Sequence, residues 1–251
     1  MGVCNKRSIA YSCTQSFLDK GWKVILTYQN QNIQSKMESS FIDNPQVLGG
    51  ITCDVAQDDD IMELPQRIAD IIQDGTISSV LHSLAYAPDL KTTPLLETSR
   101  EAFQQAHDIS AYSLLSIARA TQPLLETTTN TSNITALSYL GASRAIPGYN
   151  VMGPAKASLE AVVRGLALEM GSQNIRVNAV SAGPIPTISS KGGIGNFSKM
   201  QQEMMDRSPM GNVSAEQVAS TVTFLATEGT GISGQTIYVD GGYSIVGGPS
   251  I

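Results

Sequence analysis

Tyr149 and Lys156 stand seven positions apart. On a helix seven residues advance about two turns, so both side chains would emerge on nearly one face. An ammonium beside a phenol lowers the phenol's pKa and favours proton donation to a developing oxyanion. The same lysine could hold a ribose hydroxyl. The spacing equally fits a half-exposed tyrosine and lysine that merely share a helix face. Tyr139 closes the apolar run Asn133 to Tyr139, at the C-terminal end of an expected strand, where open α/β sheets bind ligands. A packing role at a strand end fits it as well.

At the start of the chain, Gly2 to Ala10 leads into an amphipathic stretch carrying Cys13, Phe17 and Leu18. A glycine turn before a helix can present backbone N–H groups and the positive helix end to a phosphate. No G-x-G-x-x-G is present, so a plain turn explains those residues too. Asp54-Val55 ends another expected strand; the carboxylate could meet adenine or ribose, or cap a helix. His82 inside a strand and His107 in a helix make no catalytic or metal pair, and no metal-ligand spacing is found. Asp58-Asp59-Asp60 reads as a solvated helix start. Cys4, Cys13 and Cys53 are expected as free thiols in a reducing cytoplasm.

These residues need a scaffold. Expected strands are Lys23 to Tyr28, Ile51 to Val55, Ile77 to Ser83, Asn133 to Tyr139, Ile175 to Ser181 and Thr236 to Val239. Helix-length segments lie between them: Arg100 to Leu125, Tyr149 to Met170 and Ala215 to Ala226. Strands alternating with helices imply right-handed crossovers and a mostly parallel sheet covered on both faces. The strands lack polar alternation, as burial on both faces demands. The expectation is one α/β domain over 1–251, a doubly wound Rossmann-type sheet. The stretch Pro184 to Asn212, with a short polar helix at Phe197 to Arg207, is either a lid over the ligand crevice or an ordinary surface loop.

Sixteen Lys+Arg against 22 Asp+Glu give a net charge of −6, which excludes a basic nucleic-acid-binding surface. No apolar run reaches the roughly 18 residues that span a bilayer. Only 15% of the residues are charged, against roughly 25% in an average chain, so part of the surface is expected to be covered by other subunits.

Taken in order, the segments Gly2…Ser8-Ile9-Ala10-Tyr11, Cys53-Asp54-Val55, His82-Ser83-Leu84-Ala85-Tyr86-Ala87-Pro88 and His107-Asp108-Ile109-Ser110 resemble one branch of the short-chain dehydrogenase/reductases. So do Ser138-Tyr139-Leu140-Gly141, Tyr149 to Ser158, Arg176 to Ile185 and Val239 to Tyr243. The chain is similar over nearly its whole length to the enoyl-acyl-carrier-protein (ACP) reductases of the FabI type. Carbonyl-reducing members carry Tyr-x3-Lys; the enoyl reductases carry Tyr-x6-Lys with a second tyrosine upstream, matched here by Tyr149, Lys156 and Tyr139.

The resemblance implies NADH-dependent reduction of trans-2-enoyl-ACP in fatty acid elongation, in a cytoplasmic homotetramer. It makes Tyr149 the group that meets the thioester oxygen, Lys156 the anchor of the nicotinamide ribose and Tyr139 part of the acyl pocket. Gly2, Ser8 and Ile9 would lie along the pyrophosphate, Asp54 and Val55 at adenine, and Ser83, Leu84 and Ala85 beneath the dinucleotide. Ile185, Thr187, Ile188 and Ser189 would meet the nicotinamide side. Ala87 and a substrate-binding loop at about 185–208 would shape the substrate entrance. Gln29-Asn30 puts neutral amides where a 2′-phosphate is usually held by a base, favouring NADH over NADPH, although Lys6 and Arg7 are also near the adenine end. Lys191, Lys199 and Arg207 are candidates for docking acidic ACP.

Two positions depart from the family pattern. Ser12 stands where glycine is common. The chain also begins one residue before Gly2, so the family's first, central strand is expected to be missing. That leaves its neighbours two strand spacings apart, about 9.6 Å, and Met1 is expected to be internal to a longer protein. The alternatives are a catalytically impaired or non-catalytic truncated paralogue, or a carbonyl-reducing dehydrogenase.

Overall fold

Short runs rich in β-branched and apolar residues form the strands, and the helices between them return the chain to start the next. The computed structural model describes residues 1–247 except positions 42, 74, 91, 126–130 and 196. In chain order come α1 (Ile9–Asp19), β1 (Val24–Tyr28), α2 (Gln31–Glu38), β2 (Val47–Thr52), α3 (Asp58–Ile72) and β3 (Ser79–His82). Then follow α4 (Arg100–His107), a π-helical turn (Asp108–Tyr112), α5 (Ser113–Thr121), β4 (Ser132–Tyr139), α6 (Met152–Met170) and β5 (Ile175–Ala182). The chain continues through α7 (Ile188–Gly193), α8 (Phe197–Arg207), α9 (Ala215–Thr227) and β6 (Thr236–Val239).

All strand pairs are parallel, in two ladders: β1 with β2, and β3-β4-β5-β6. Among the described residues no ladder joins β1 to β3, where the first strand was expected to be missing. Residues 1–3 run there instead. The Met1 ammonium donates to the Leu81 carbonyl at 2.8 Å, and Val3 packs with Ala10, Leu18 and Leu26.

β4 and β5 are buried along their whole lengths. On one face Ile134, Ala136, Val177 and Ala179 pack under α3, α5 and α6. On the other, Leu137, Val180 and Ala182 pack against α1 and α9. These two helices are tied by Ser16 and Thr223, whose hydroxyls are 2.6 Å apart. All three cysteines are free.

Four expected elements change by more than one residue. β3, expected over Ile77 to Ser83, is Ser79–His82, with Ile77 in an isolated bridge to Leu125. β2 begins at Val47 and ends at Thr52, not Ile51 to Val55, because Gly49 and Gly50 pair with Ile25 and Leu26. Gly50 is needed in that ladder: a Cβ there would lie 2.8 Å from the Tyr28 ring. The long helix over Arg100 to Leu125 is divided by the π turn and closes in a 3-10 turn, Gln122–Leu124. The helix expected from Tyr149 starts at Met152, because Asn150 takes a left-handed φ of +38°.

Candidate active site

The C-terminal ends of β3, β4 and β5 open into a cavity of about 490 Å³. Its floor is the segment after β3, with Ser83, Leu84, Ala85 and Ala87. The π turn fixes this floor: the Ser110 hydroxyl accepts from Tyr86 N at 3.0 Å and lies 3.1 Å from Tyr86 O. His82 below it is fully buried, 2.7 Å from the Ser113 hydroxyl through Nε2. Burial, then the charge of Lys156, lowers its pKa to about 3, so it is a neutral structural residue.

Lys156 reaches back from α6 to both strand ends. Its Nζ donates to Leu137 O at 2.7 Å and to Leu84 O at 3.2 Å. Burial lowers its pKa to about 8, against an upward pull from Glu160. Glu160 in turn accepts from the Ser138 hydroxyl at 2.5 Å.

Tyr149 is not on the helix with Lys156, as the spacing argument held, but on the turn before it. That turn is pinned by Asn150, whose Nδ2 donates to Leu90 O at 3.1 Å and Thr93 O at 2.9 Å. The Tyr149 ring meets Tyr139 edge-on, with centroids 4.7 Å apart and planes at 62°. Both phenols have pKa values above the ordinary range: Tyr149 through burial, then Tyr139 and Glu160; Tyr139 through burial, then Tyr243. The expected lowering by Lys156 is therefore overturned. Desolvation by burial sets the sign, and Lys156 spends donors on two carbonyls. A phenol held neutral is still a hydrogen-bond donor.

The roof comes from the 185–208 region, of which position 196 lies outside the described residues. Thr187 caps α7 through a reciprocal pair with Ser190, and Ile194, Phe197 and Met200 close over the cavity. The Tyr139 hydroxyl donates to Met200 Sδ at 3.3 Å. The polar helix expected at Phe197 to Arg207 is α8, and in this structure the region is a roof rather than a loose surface loop.

Gly2, Ser8, Ile9, Ser83, Leu84, Ala85, Ala87, Tyr139, Tyr149, Lys156, Ile185, Thr187 and Ser189 all line this one cavity. Ser8 caps α1, its hydroxyl accepting from Tyr11 N at 3.2 Å. Gln29, Asp54, Val55 and Ile188 do not line it. Asp54 makes a local turn, accepting from Ala56 N at 3.1 Å, while the cap position of α3 belongs to Gln57; Ile188 points outward, 56% exposed. Lys191 and Lys199 are exposed on α7 and α8, whereas Arg207 pairs with Glu203 and lies over the Tyr243 ring. Sequence reasoning missed Gly141 and the Ser138–Glu160 pair, since their contacts arise only in three dimensions.

A doubly wound parallel sheet with a tyrosine and a lysine at its strand ends is the architecture of the short-chain dehydrogenase/reductases. Within that class, the match described as Enoyl-(Acyl carrier protein) reductase spans residues 2–244. The chain belongs to this family. It is 42% identical to the Neisseria meningitidis enoyl-[acyl-carrier-protein] reductase [NADH] FabI, over 97% of this chain and 93% of that protein. It is 39% identical to the Bacillus cereus protein of the same name, over 98% and 96%. The crystal structure of the Bacillus cereus reductase with NADP+ and indole naphthyridinone superposes with a TM-score of 0.91 at 39% identity, over 98% of this chain and 95% of that one.

Proposed function

We propose that the protein is an NADH-dependent reductase of trans-2-enoyl-ACP, yielding saturated acyl-ACP in fatty acid elongation. The carrying observation is the Tyr139–Tyr149 edge contact above a buried Lys156 in one cavity. Family membership and relatives named as [NADH] enzymes support it.

The residues present fit a dinucleotide. The cavity runs from the start of α1, whose first N–H groups have no partner within the helix, past the floor Ser83 to Ala85, to Lys156 and α7. Gly2, Ser8 and Ile9 would hold the pyrophosphate, and Ile185, Thr187 and Ser189 the nicotinamide side, with Ile188 beside them. Asp54 and Val55 would meet adenine from outside the described cavity. When bound, the cofactor supplies a hydride to C3 of the enoyl chain.

Charge then collects on the thioester oxygen. Tyr149, kept protonated by burial, donates a hydrogen bond to that oxygen, stabilising charge present chiefly in the transition state. Lys156 holds the ribose hydroxyls. Tyr139 and Ala87 shape the acyl pocket, and Met200 and Phe197 keep water out. As the enolate reketonises, C2 takes up one proton drawn ultimately from solvent, which completes the saturated chain. Gln29 favours NADH by offering a 2′-phosphate no charge, with Asn30 instead occupied in capping α2.

No described helix is long and apolar enough to cross a membrane. The reading includes a cytoplasmic homotetramer of single-domain subunits, for which exposed Leu96 (90%) and Leu168 (84%) offer apolar surface, and ACP docking at Lys191, Lys199 and Arg207. The test is loss of nicotinamide absorbance with crotonyl and longer enoyl thioesters, NADH against NADPH. Turnover with NADH supports the reading; tight nucleotide binding without turnover refutes it.

A further inference from the structure

Ser138 and Glu160 have no place in the reaction as described, yet they join the two elements that carry it. Along β4, Ile134 and Ala136 face the α6 side of the sheet, and Leu137 faces α1 and α9. The Leu137 carbonyl accepts a hydrogen bond from Lys156 Nζ. The next residue, Ser138, donates its only hydroxyl hydrogen bond to Glu160. Glu160 stands one helical turn beyond Lys156. Two consecutive strand residues therefore clasp two successive turns of helix at the cavity floor.

Lys156 has few other ionisable neighbours to balance it. His82 on β3 is neutral, and Tyr139 and Tyr149 are held protonated. The Met1 amine at Leu81 O has its pKa lowered by burial to about 6 and is largely uncharged at neutral pH. Asp108, in the π turn against α6, is exposed to solvent. Glu160 is the carboxylate that acts on the lysine. The balance matters because of donor count. A cationic Nζ has three protons, two of them engaged by Leu137 O and Leu84 O, leaving one for the cavity. A neutral Nζ has two protons and would turn a lone pair towards the ligand.

We propose that Glu160, fixed by Ser138, is a positioning residue that keeps Lys156 cationic and so keeps its third N–H directed at the cofactor's ribose hydroxyls. This rests on the dinucleotide reading of the cavity. Burial already brings Lys156 to about 8, so a modest change in nearby charge decides its state near neutral pH.

The test uses Glu160→Gln, which still accepts from Ser138 but carries no charge, with NADH affinity measured by fluorescence from pH 6 to 10. In the unsubstituted protein affinity falls as pH rises through about 8. In Glu160→Gln the fall moves about one pH unit lower, with affinity weakened roughly fivefold at pH 8, approaching tenfold above pH 9, and near normal at pH 6. In turnover KM for NADH rises more than kcat falls, and Glu160→Asp restores the profile. Weakening independent of pH, or no weakening, overturns the proposal. Should Glu160→Gln not fold, Ser138→Ala frees the carboxylate and shifts the profile the same way by less; an unchanged profile there overturns it equally. NADH binding with this pH dependence but no enoyl reduction refutes the assigned reaction and leaves Glu160's role standing. Absence of NADH binding refutes both.

Discussion

Gly141 makes room for Tyr149. A Cβ at position 141 would overlap the Tyr149 ring, 2.6 Å from Cε1, and press on Tyr139 at 3.3 Å. The glycine lies two residues past the end of β4, so the strand end that presents Tyr139 also sets how closely Tyr149 can approach it. The edge contact between the two phenols depends on this missing side chain.

Gly141→Ala is therefore expected to displace Tyr149 while leaving the sheet intact. A shift of about 1 Å in a reacting group costs on the order of 100-fold in rate. Steady-state kinetics, with circular dichroism to verify folding, should show kcat falling by that order and KM for NADH little changed.

Tyr149→Phe removes the donor but keeps the ring. If the phenol stabilises charge formed during the reaction, kcat should drop by about 100- to 1000-fold, as for loss of one oxyanion donor. NADH affinity should stay within about twofold, since Lys156 holds its own two carbonyls. A matching loss in binding would place Tyr149 on the cofactor instead.

Asn150 is a hinge with two tethers. Asn150→Asp would replace a donor by an acceptor facing Leu90 O and Thr93 O. Unfolding in urea should show a loss of about 1–3 kcal/mol, and activity should fall with it because the Tyr149 turn is no longer held.

His82 gives the fold an acid limit. Its folded pKa of about 3 lies below its ordinary 6.5, so the unfolded chain binds the proton that the folded chain refuses. Stability from this residue is complete above pH 6.5 and is lost as pH falls towards 3. Between pH 7 and pH 5 the loss should be about 2 kcal/mol. Urea midpoints at the two values should show it, and His82→Gln should flatten the slope.

The parts of this architecture legible in the amino-acid order are those set by local pattern. β4 and β5 stand out as strand-length runs rich in β-branched and apolar residues between loop segments, and both are buried along their whole lengths; α9 stands out because its apolar face repeats. The start of β2 was obscured because Gly49 and Gly50 bring no side chains to a strand pattern; they pair with Ile25 and Leu26, and the Tyr28 ring occupies the space beside Gly50. The tyrosine-lysine spacing suggested a shared helix face, but an interval of seven cannot show that Asn150 breaks the helix between them. The sign of the phenol shift was also hidden, since burial depends on the closed roof of α7 and α8. Ser138 and Glu160 lie far apart in sequence and in no recognisable spacing, so only the packing of α6 on β4 reveals them.

An enoyl reductase and a carbonyl reductase differ in which carbon receives the hydride. NADH carrying deuterium at the transferred C4 position, crotonyl thioester and the 251-residue chain should give butyryl thioester with one deuterium at C3, the thioester intact, by mass spectrometry. Deuterium on a carbinol carbon, or no transfer despite bound NADH, would contradict the account.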